Sequence, residues 1–167
     1  PRTRAAPGPG VASPAHGLTP GAEADAVRDR LLTSFDRAAS LPRGPERERL
    51  LTVTFVGGGF SGVEGFAELL SLAHDLLHLY PEIAAPEVQF HLVERSPRIL
   101  PEVTDRPGRW VVGRLEARGA HVHLGAGLES AEGGVVRLTT GEEFASGGRV
   151  GAAGHAGVDD GAHTYDA

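Results

Sequence analysis

Apolar positions follow two rhythms along this chain. After Thr19-Pro20, the residues Ala24, Val27, Leu31, Phe35 and Ala38 recur every three to four positions, with Arg28, Asp29, Asp36 and Arg37 on the other faces. That spacing predicts an amphipathic helix over about 21–39. A threonine N-cap followed by proline starts it, and Leu41-Pro42-Arg43-Gly44-Pro45 ends it. Val53, Phe55 and Val56 then predict a strand over about 51–56. A helical stripe of Val63, Phe66, Leu69, Leu70, Ala73, Leu76 and Leu77 predicts a long helix from near Ser61 to about Tyr80. Pro81 and Pro86 bracket the next loop, and Val88 to Val93 form a second strand that ends on Glu94. Strand, long helix, strand implies one right-handed crossover in a parallel sheet.

After Pro107 a further helix carries Trp110, Val111, Leu115 and Ala117, and Gly119 stops it. A short strand at His121 to Leu124 follows, then hairpin strands around Gly133-Gly134 and a turn at Thr140-Gly141. The expected fold is α/β, a Rossmann-like parallel sheet with flanking helices and an appended β-hairpin layer, spanning 18–146. Residues 1–17, rich in Pro, Ala and Gly, are expected to be a disordered lead. Residues 147–167 lose all core pattern and are expected to be a disordered or out-of-pattern tail. No internal repeat is present.

Composition narrows the function. With 167 residues and 40% hydrophobic content the chain can bury one real core. A formal charge of −6 argues against general affinity for nucleic acid or an anionic membrane surface. The absence of cysteine removes disulfides, thiolate nucleophiles, a redox-active dithiol and cysteine metal sites. No 18-residue apolar run and no signal peptide is found, so no membrane-spanning segment is expected. The chain has no Met and opens at Pro1, from which a cut or incompletely described N-terminus is expected.

The first strand runs straight into Gly57-Gly58-Gly59-Phe60-Ser61-Gly62, a Gly-x-Gly-x-x-Gly spacing at which a helix begins. This is the turn that lays a dinucleotide pyrophosphate against a helix N-terminus. Gly57 allows the sharp turn, Gly59 leaves no side chain where phosphates approach, and Gly62 lets the helix pack close to the strand. Three glycines alone are weak in a chain with 24 of them; the strand before and the helix after give the match its weight. Glu94, at the end of the second strand, is the acid that would accept hydrogen bonds from the adenine ribose hydroxyls. It lies further along than the usual ~20 residues, because the intervening helix and its proline-bounded loop are long. A carboxylate there favours NADH over NADPH, while Arg95 beside it could serve a 2′-phosphate. Glu64, placed in the first helical turn, is either an acid stabilised by the helix dipole or a residue lining the nicotinamide end of the cleft.

Other constellations point less clearly to chemistry. His74 and His78 sit one helical turn apart, as in a zinc site, but Leu76 and Leu77 of the buried stripe lie between them. His121 and His123 share a strand face and are explained by alternation, so no metal site is expected. Glu82, Glu87, Glu102 and Asp105 are scattered loop acids without the spacing of a catalytic pair. Gly59-Phe60-Ser61-Gly62 lacks the frame of a serine nucleophile elbow. The Arg and Glu run over 43–49 is expected to be a solvated helical face.

The segment from Leu50 to Glu64 resembles the NADH-binding segment of type II NADH dehydrogenases, flavoproteins with two dinucleotide-binding domains. The resemblance continues through Tyr80-Pro81-Glu82-Ile83, Leu92-Val93-Glu94-Arg95, Ile99-Leu100-Pro101 and Arg118-Gly119-Ala120-His121-Val122, and ends at Thr140 to Ser146. The helix from Ala24 to Ser40 also looks like the one leading into that domain. The resemblance implies a domain that presents NADH to an FAD held elsewhere, with hydride passing to the flavin and then to a quinone, without proton pumping. It implies that Gly57, Gly58, Gly59, Phe60, Ser61 and Gly62 hold the pyrophosphate, Glu94 and Arg95 the ribose end, and that Glu64 matches an acid facing the nicotinamide. It further implies a cytoplasmic setting, peripheral on the cytoplasmic membrane face for the full-length protein.

The chain also departs from that family. No second Gly-x-Gly-x-x-Gly precedes this one, and the C-terminal FAD motif and amphipathic membrane helices of the family are missing. After Ser146 the family has an apolar strand where this chain has Gly147-Gly148-Arg149-Val150-Gly151-Ala152-Ala153-Gly154. The expectation is a fragment, inactive alone, whose tail leaves the original reading frame. Two alternatives stay open: a related FAD-dependent reductase serving another acceptor such as ferredoxin or a thiol protein, and a non-catalytic NADH-sensing domain. A zinc hydrolase built on His74 and His78 is the remotest reading.

Overall fold

The computed structural model describes residues 20–151, and their side chains over 24–147. Helix α1 (Pro20–Ala39) and the short α2 (Pro45–Leu50) lead into β1 (Thr52–Val56). Then come α3 (Phe60–Leu77), β2 (Gln89–Glu94), α4 (Asp105–Glu116) and β3 (Ala120–Leu124). Strands β4 (Leu128–Glu132), β5 (Val135–Leu138) and β6 (Glu143–Ala145) follow, and β7 (Gly148–Gly151) completes the described chain. One sheet is parallel, in the order β3-β2-β1-β7; the other has the order β4-β5-β6, with both of its pairs antiparallel.

Strand alternation divides the apolar residues between two cores. Phe55, Phe90, Leu92 and Ala120 face the helices and pack with Leu31, Phe35, Phe66, Leu70, Ala73 and Leu115. Phe66 sits between Phe55 and Phe90 with edge-on ring contacts at 5.4 and 5.7 Å. On the opposite face Val93 packs with Ala126, Val136 and Leu138 of the antiparallel layer. The β4–β5 turn is Gly133-Gly134, both with positive φ (60° and 75°), the two-residue hairpin that suits strand twist. The appended layer has three strands, one more than a single hairpin.

The tail expected from residue 147 onward begins instead with a strand. Gly148–Gly151 pairs in parallel with β1, Val53 opposite Gly148 through Val56 opposite Gly151. A glycine-rich strand gives no apolar periodicity to read, yet its backbone groups form the ladder with β1. Thr54 Oγ1 donates to Ser146 Oγ (2.9 Å), which donates to the Thr52 carbonyl (3.2 Å), bringing the chain back beside β1. Most of the tail, 152–167, lies outside the described residues, as does the lead 1–17.

The charged run 43–49 is not a solvated face throughout. Arg47 is only 5% exposed. Its guanidinium donates to both Glu87 carboxylate oxygens (2.9 and 3.1 Å) and to the carbonyls of Ala38, Leu41 and Glu82. Helices α1 and α2 are thereby tied to the loop before β2. Burial pushes the Glu87 carboxyl up, but the Ala84 N–H and the Arg47 guanidinium outweigh it and hold it below its ordinary value.

Between the two sheets lies a stack of rings. His91 is stacked on Phe144 at 3.8 Å, and its Nδ1 lies 3.0 Å from His123 Nε2. His121 stacks on His91 at 4.7 Å, and His123 faces Glu142 at 3.4 Å. Burial, then the charges of His121 and His123, push the His91 pKa down from 6.5 to about 3.

Two outcomes follow from these contacts. Arg47→Ala is expected to lower the unfolding free energy by about 3 kcal/mol, the low end for a broken buried pair because Glu87 keeps some water contact. Urea unfolding of the two proteins measures this, and a loss under about 1 kcal/mol would deny the cluster its role. His91 stays neutral in the fold, whereas the unfolded chain takes up a proton near pH 6.5. Its contribution is therefore complete above that pH and declines as pH falls towards about 3, by up to ~1.4 kcal/mol per unit. Melts between pH 7 and 5 should show this slope, and His91→Gln should flatten it.

Candidate functional site

The carboxyl ends of β1 and β2 meet where a doubly wound sheet binds its ligand. Helical crossovers carry the chain from β1 outward to β3, and β7 lies on the opposite side of β1, so the strand order reverses there. Such a switch point leaves a crevice beyond the strand ends. The glycine turn leaves β1 into this crevice. Without β7 there would be no reversal, so the segment least readable in sequence helps to define the site.

The glycines divide their work in a way that spacing alone does not reveal. Gly57 adopts φ 114°, a left-handed conformation that L side chains rarely take, and its N–H donates to the Val93 carbonyl at 2.9 Å. Gly58 is the crowded position: a Cβ there would lie 2.8 Å from Ile99 Cγ2 and 2.9 Å from Glu94 Oε2. Gly59 has ordinary φ (−71°) and open surroundings, with Glu102 Oε1 the nearest atom, 3.9 Å from a Cβ placed there. It is also the N-cap of α3, and no side chain caps that helix. The N–H groups of Phe60, Ser61 and Gly62 have no carbonyl within the helix to receive them. With the helix dipole they make a cradle for an anion.

Glu94 is held, not merely placed, at the end of β2. Its Oε2 accepts the Gly58 N–H at 2.5 Å and its Oε1 accepts the Ser96 N–H at 2.6 Å. Each oxygen retains capacity for a further hydrogen bond. The next segment folds back over the turn, with the Leu100 N–H donating to the Gly58 carbonyl at 2.7 Å. Leu100 takes φ 52°, the one left-handed non-glycine among the described residues. That strain, of order 1 kcal/mol or more, lies at the glycine turn.

The remaining candidates disperse. Glu64 is exposed, and α3 starts at Phe60 with no acid in its first turn. It therefore lies just past the first turn, one residue further from the dipole end than a helix start near Ser61 would place it. Arg95 is exposed beside Glu94. His74 is half-buried within α3 and His78 is its exposed C-cap residue. Among the described residues no group of three or more His, Asp or Glu is arranged to hold a metal ion. Glu87 belongs to the Arg47 cluster, and Asp105 opens α4 and pairs with Arg98 and Arg109. Glu102, one of the scattered loop acids by sequence, reaches the mouth of the glycine turn because the segment 95–104 folds back over it.

A family profile described as pyridine nucleotide-disulphide oxidoreductase matches residues 5–165. The type II NADH:quinone oxidoreductase Ndh of Mycobacterium tuberculosis is 32% identical over 101 residues, covering 60% of this chain and 22% of that protein. The external NADH-ubiquinone oxidoreductase 2 of Saccharomyces cerevisiae mitochondria is 38% identical over 93 residues, 55% of this chain and 17% of that one. The chain thus spans roughly a fifth of the length of the curated relatives it matches. The structure of NDH2 from Plasmodium falciparum in complex with NADH superposes with a TM-score of 0.70 at 18% identity, over 77% of this chain and 28% of that chain. At that identity the likeness shows a shared fold. No helix among the described residues is long and apolar enough to cross a membrane.

Proposed function

Because the chain belongs to the pyridine nucleotide-disulphide oxidoreductase family, we propose that it is the NADH-binding part of a type II NADH:quinone oxidoreductase. The observation that carries this is the open space over Gly59 at an uncapped helix N-terminus, next to a carboxylate fixed on the glycine turn. The pyrophosphate lies against the N–H groups of Phe60, Ser61 and Gly62, where Gly59 leaves it room. Glu94 receives the ribose hydroxyls on the lone pairs that Gly58 and Ser96 leave free. Glu64, further along α3 on its exposed side, is the acid proposed for the nicotinamide end.

Bound NADH supplies a hydride, which in this reading goes to FAD and from there to a quinone. The FAD and quinone sites are assigned to regions of the relatives beyond the matched fifth. What this chain contributes is orientation and a preformed electrostatic cradle. Alone it is expected to bind NADH without turning it over. In the full-length protein the domain would work at a membrane surface, on the cytoplasmic face.

Thermal unfolding with and without NADH tests the reading. At a hundred times its dissociation constant the ligand should add about 2.7 kcal/mol. A Cβ on Gly59 meets nothing closer than 3.9 Å, so Gly59→Val should melt like the parent without ligand and show no shift with it. A parent protein that melts cooperatively yet gains nothing from NADH would remove the assignment.

A further inference from the structure

Among the described residues four strands lie at the edges of the two sheets, and three of them are guarded. β4 carries Glu129 and Glu132 and shifts register between Leu128 and Ser130. β6 is three residues long, and β7 is four residues with glycine at each end. Short, charged or irregular edges resist pairing with another chain. β3 has none of these protections. Ala120-His121-Val122-His123-Leu124 contains no Pro, Gly, Arg or acidic residue, and it pairs residue for residue with β2 along its whole length. Among the described residues no strand or turn hydrogen-bonds to its outer edge. His121 is exposed, and Leu124 at the end of the strand is 37% exposed.

The order of residues in this edge says what fits it. Ala-His-Val-His-Leu reads nearly the same in both directions, so the strand is complementary to a second copy of itself run antiparallel. We propose that two copies of this chain pair through β3 about a two-fold axis at Val122, joining their parallel sheets into one of eight strands. Val122 then faces the partner's Val122, His121 faces the partner's His123, and Leu124 faces the partner's Ala120. Opposed residues of an antiparallel pair share a face, with Cβ atoms about 5 Å apart. The apolar positions therefore stay on the helix side, where Val122 already packs against the core. The imidazoles stay on the side of the antiparallel layer, where His121 stacks on His91 at 4.7 Å and would gain the partner's His123 beside it. Five opposed residues exchange about four to six backbone hydrogen bonds. A slip of one residue would turn the partner's histidines onto the helix side, so the pattern fixes the register. Such a contact is isologous and closes at two copies. It is also small, which makes the dimer concentration-dependent.

Sedimentation and cysteine cross-linking test this together. Between about 1 and 500 µM, the range suited to a small interface, the mass should rise from that of one chain towards that of two. Leu124→Arg places a charge at an exposed position opposite the partner's buried Ala120, and should weaken the association by about tenfold or more while melting like the parent. The chain has no cysteine, so one introduced thiol reports without background. With oxidised glutathione, Val122→Cys should form a covalent dimer about tenfold faster than Ala26→Cys, an exposed control on α1. His121→Cys mixed with His123→Cys should cross-link faster than either variant with itself. Like positions lie diagonally, about 7–8 Å apart, at the limit of disulfide reach. A mass that stays that of one chain throughout, or Val122→Cys oxidising no faster than the control, overturns the proposal. Association that Leu124→Arg leaves unchanged overturns it as well, by placing the contact elsewhere.

Discussion

One carboxylate holds the functional end of this molecule together. Glu94 reaches from the end of β2 to the N–H of Gly58 on the turn after β1, while its other oxygen takes the N–H of Ser96. Charge-assisted bonds of this kind are worth about 1.5–3 kcal/mol each. Their larger effect here is geometric. They require the β1–β2 register that sets Val56 opposite Val93, and they require that Gly58 carry no side chain. They also fix the start of the segment that returns over the turn through Ile99 and the left-handed Leu100. The cradle at α3 is therefore built before any ligand arrives.

Two cores support that end from opposite sides. The helical core fixes α3 against β1 and β2 through Phe55, Phe66 and Phe90, which aims the helix N-terminus at the crevice. The antiparallel layer closes the other face through Val93, Ala126, Val136 and Leu138, and through the His91–Phe144 stack. Glu94 follows directly after Val93, so its backbone position depends on that second core. Loss of the layer would free the end of β2 even if every residue of the glycine turn were intact. By this coupling the proposed nucleotide site depends on packing well outside the residues assigned to touch the ligand.

Much of this was legible in the residues. The period-3.6 stripes of Val27, Leu31, Phe35 and of Val63, Phe66, Leu70, Ala73 located α1 and α3, and the glycine spacing located the turn between β1 and α3. Gly133-Gly134 marked its hairpin because both positions need positive φ. What stayed hidden depended on contacts distant in sequence. Arg47 looks like one more charge in a polar run until α1, α2 and the loop at Glu82–Glu87 converge on it. Glu94 could be placed at a strand end, but not seen to clamp Gly58. Strand β7, a short Gly-Arg-Val-Gly segment, left no apolar period to read, although it pairs with β1 along its whole length. His91 reads as one polar residue in a strand, and only the covering layer with Phe144 makes it a buried neutral imidazole.

The central claim is that Gly58, Glu94 and the capless start of α3 form a preorganised nucleotide site. A titration of the 15N-labelled chain with NADH, reading each backbone amide, tests it most directly. Saturable shifts concentrated on Gly59, Phe60, Ser61, Gly62 and Ser96, with the amides of β5 and β6 unmoved, are the expected result. Saturable shifts centred elsewhere on the fold, or none at millimolar NADH in a chain that gives a dispersed folded spectrum, would contradict it.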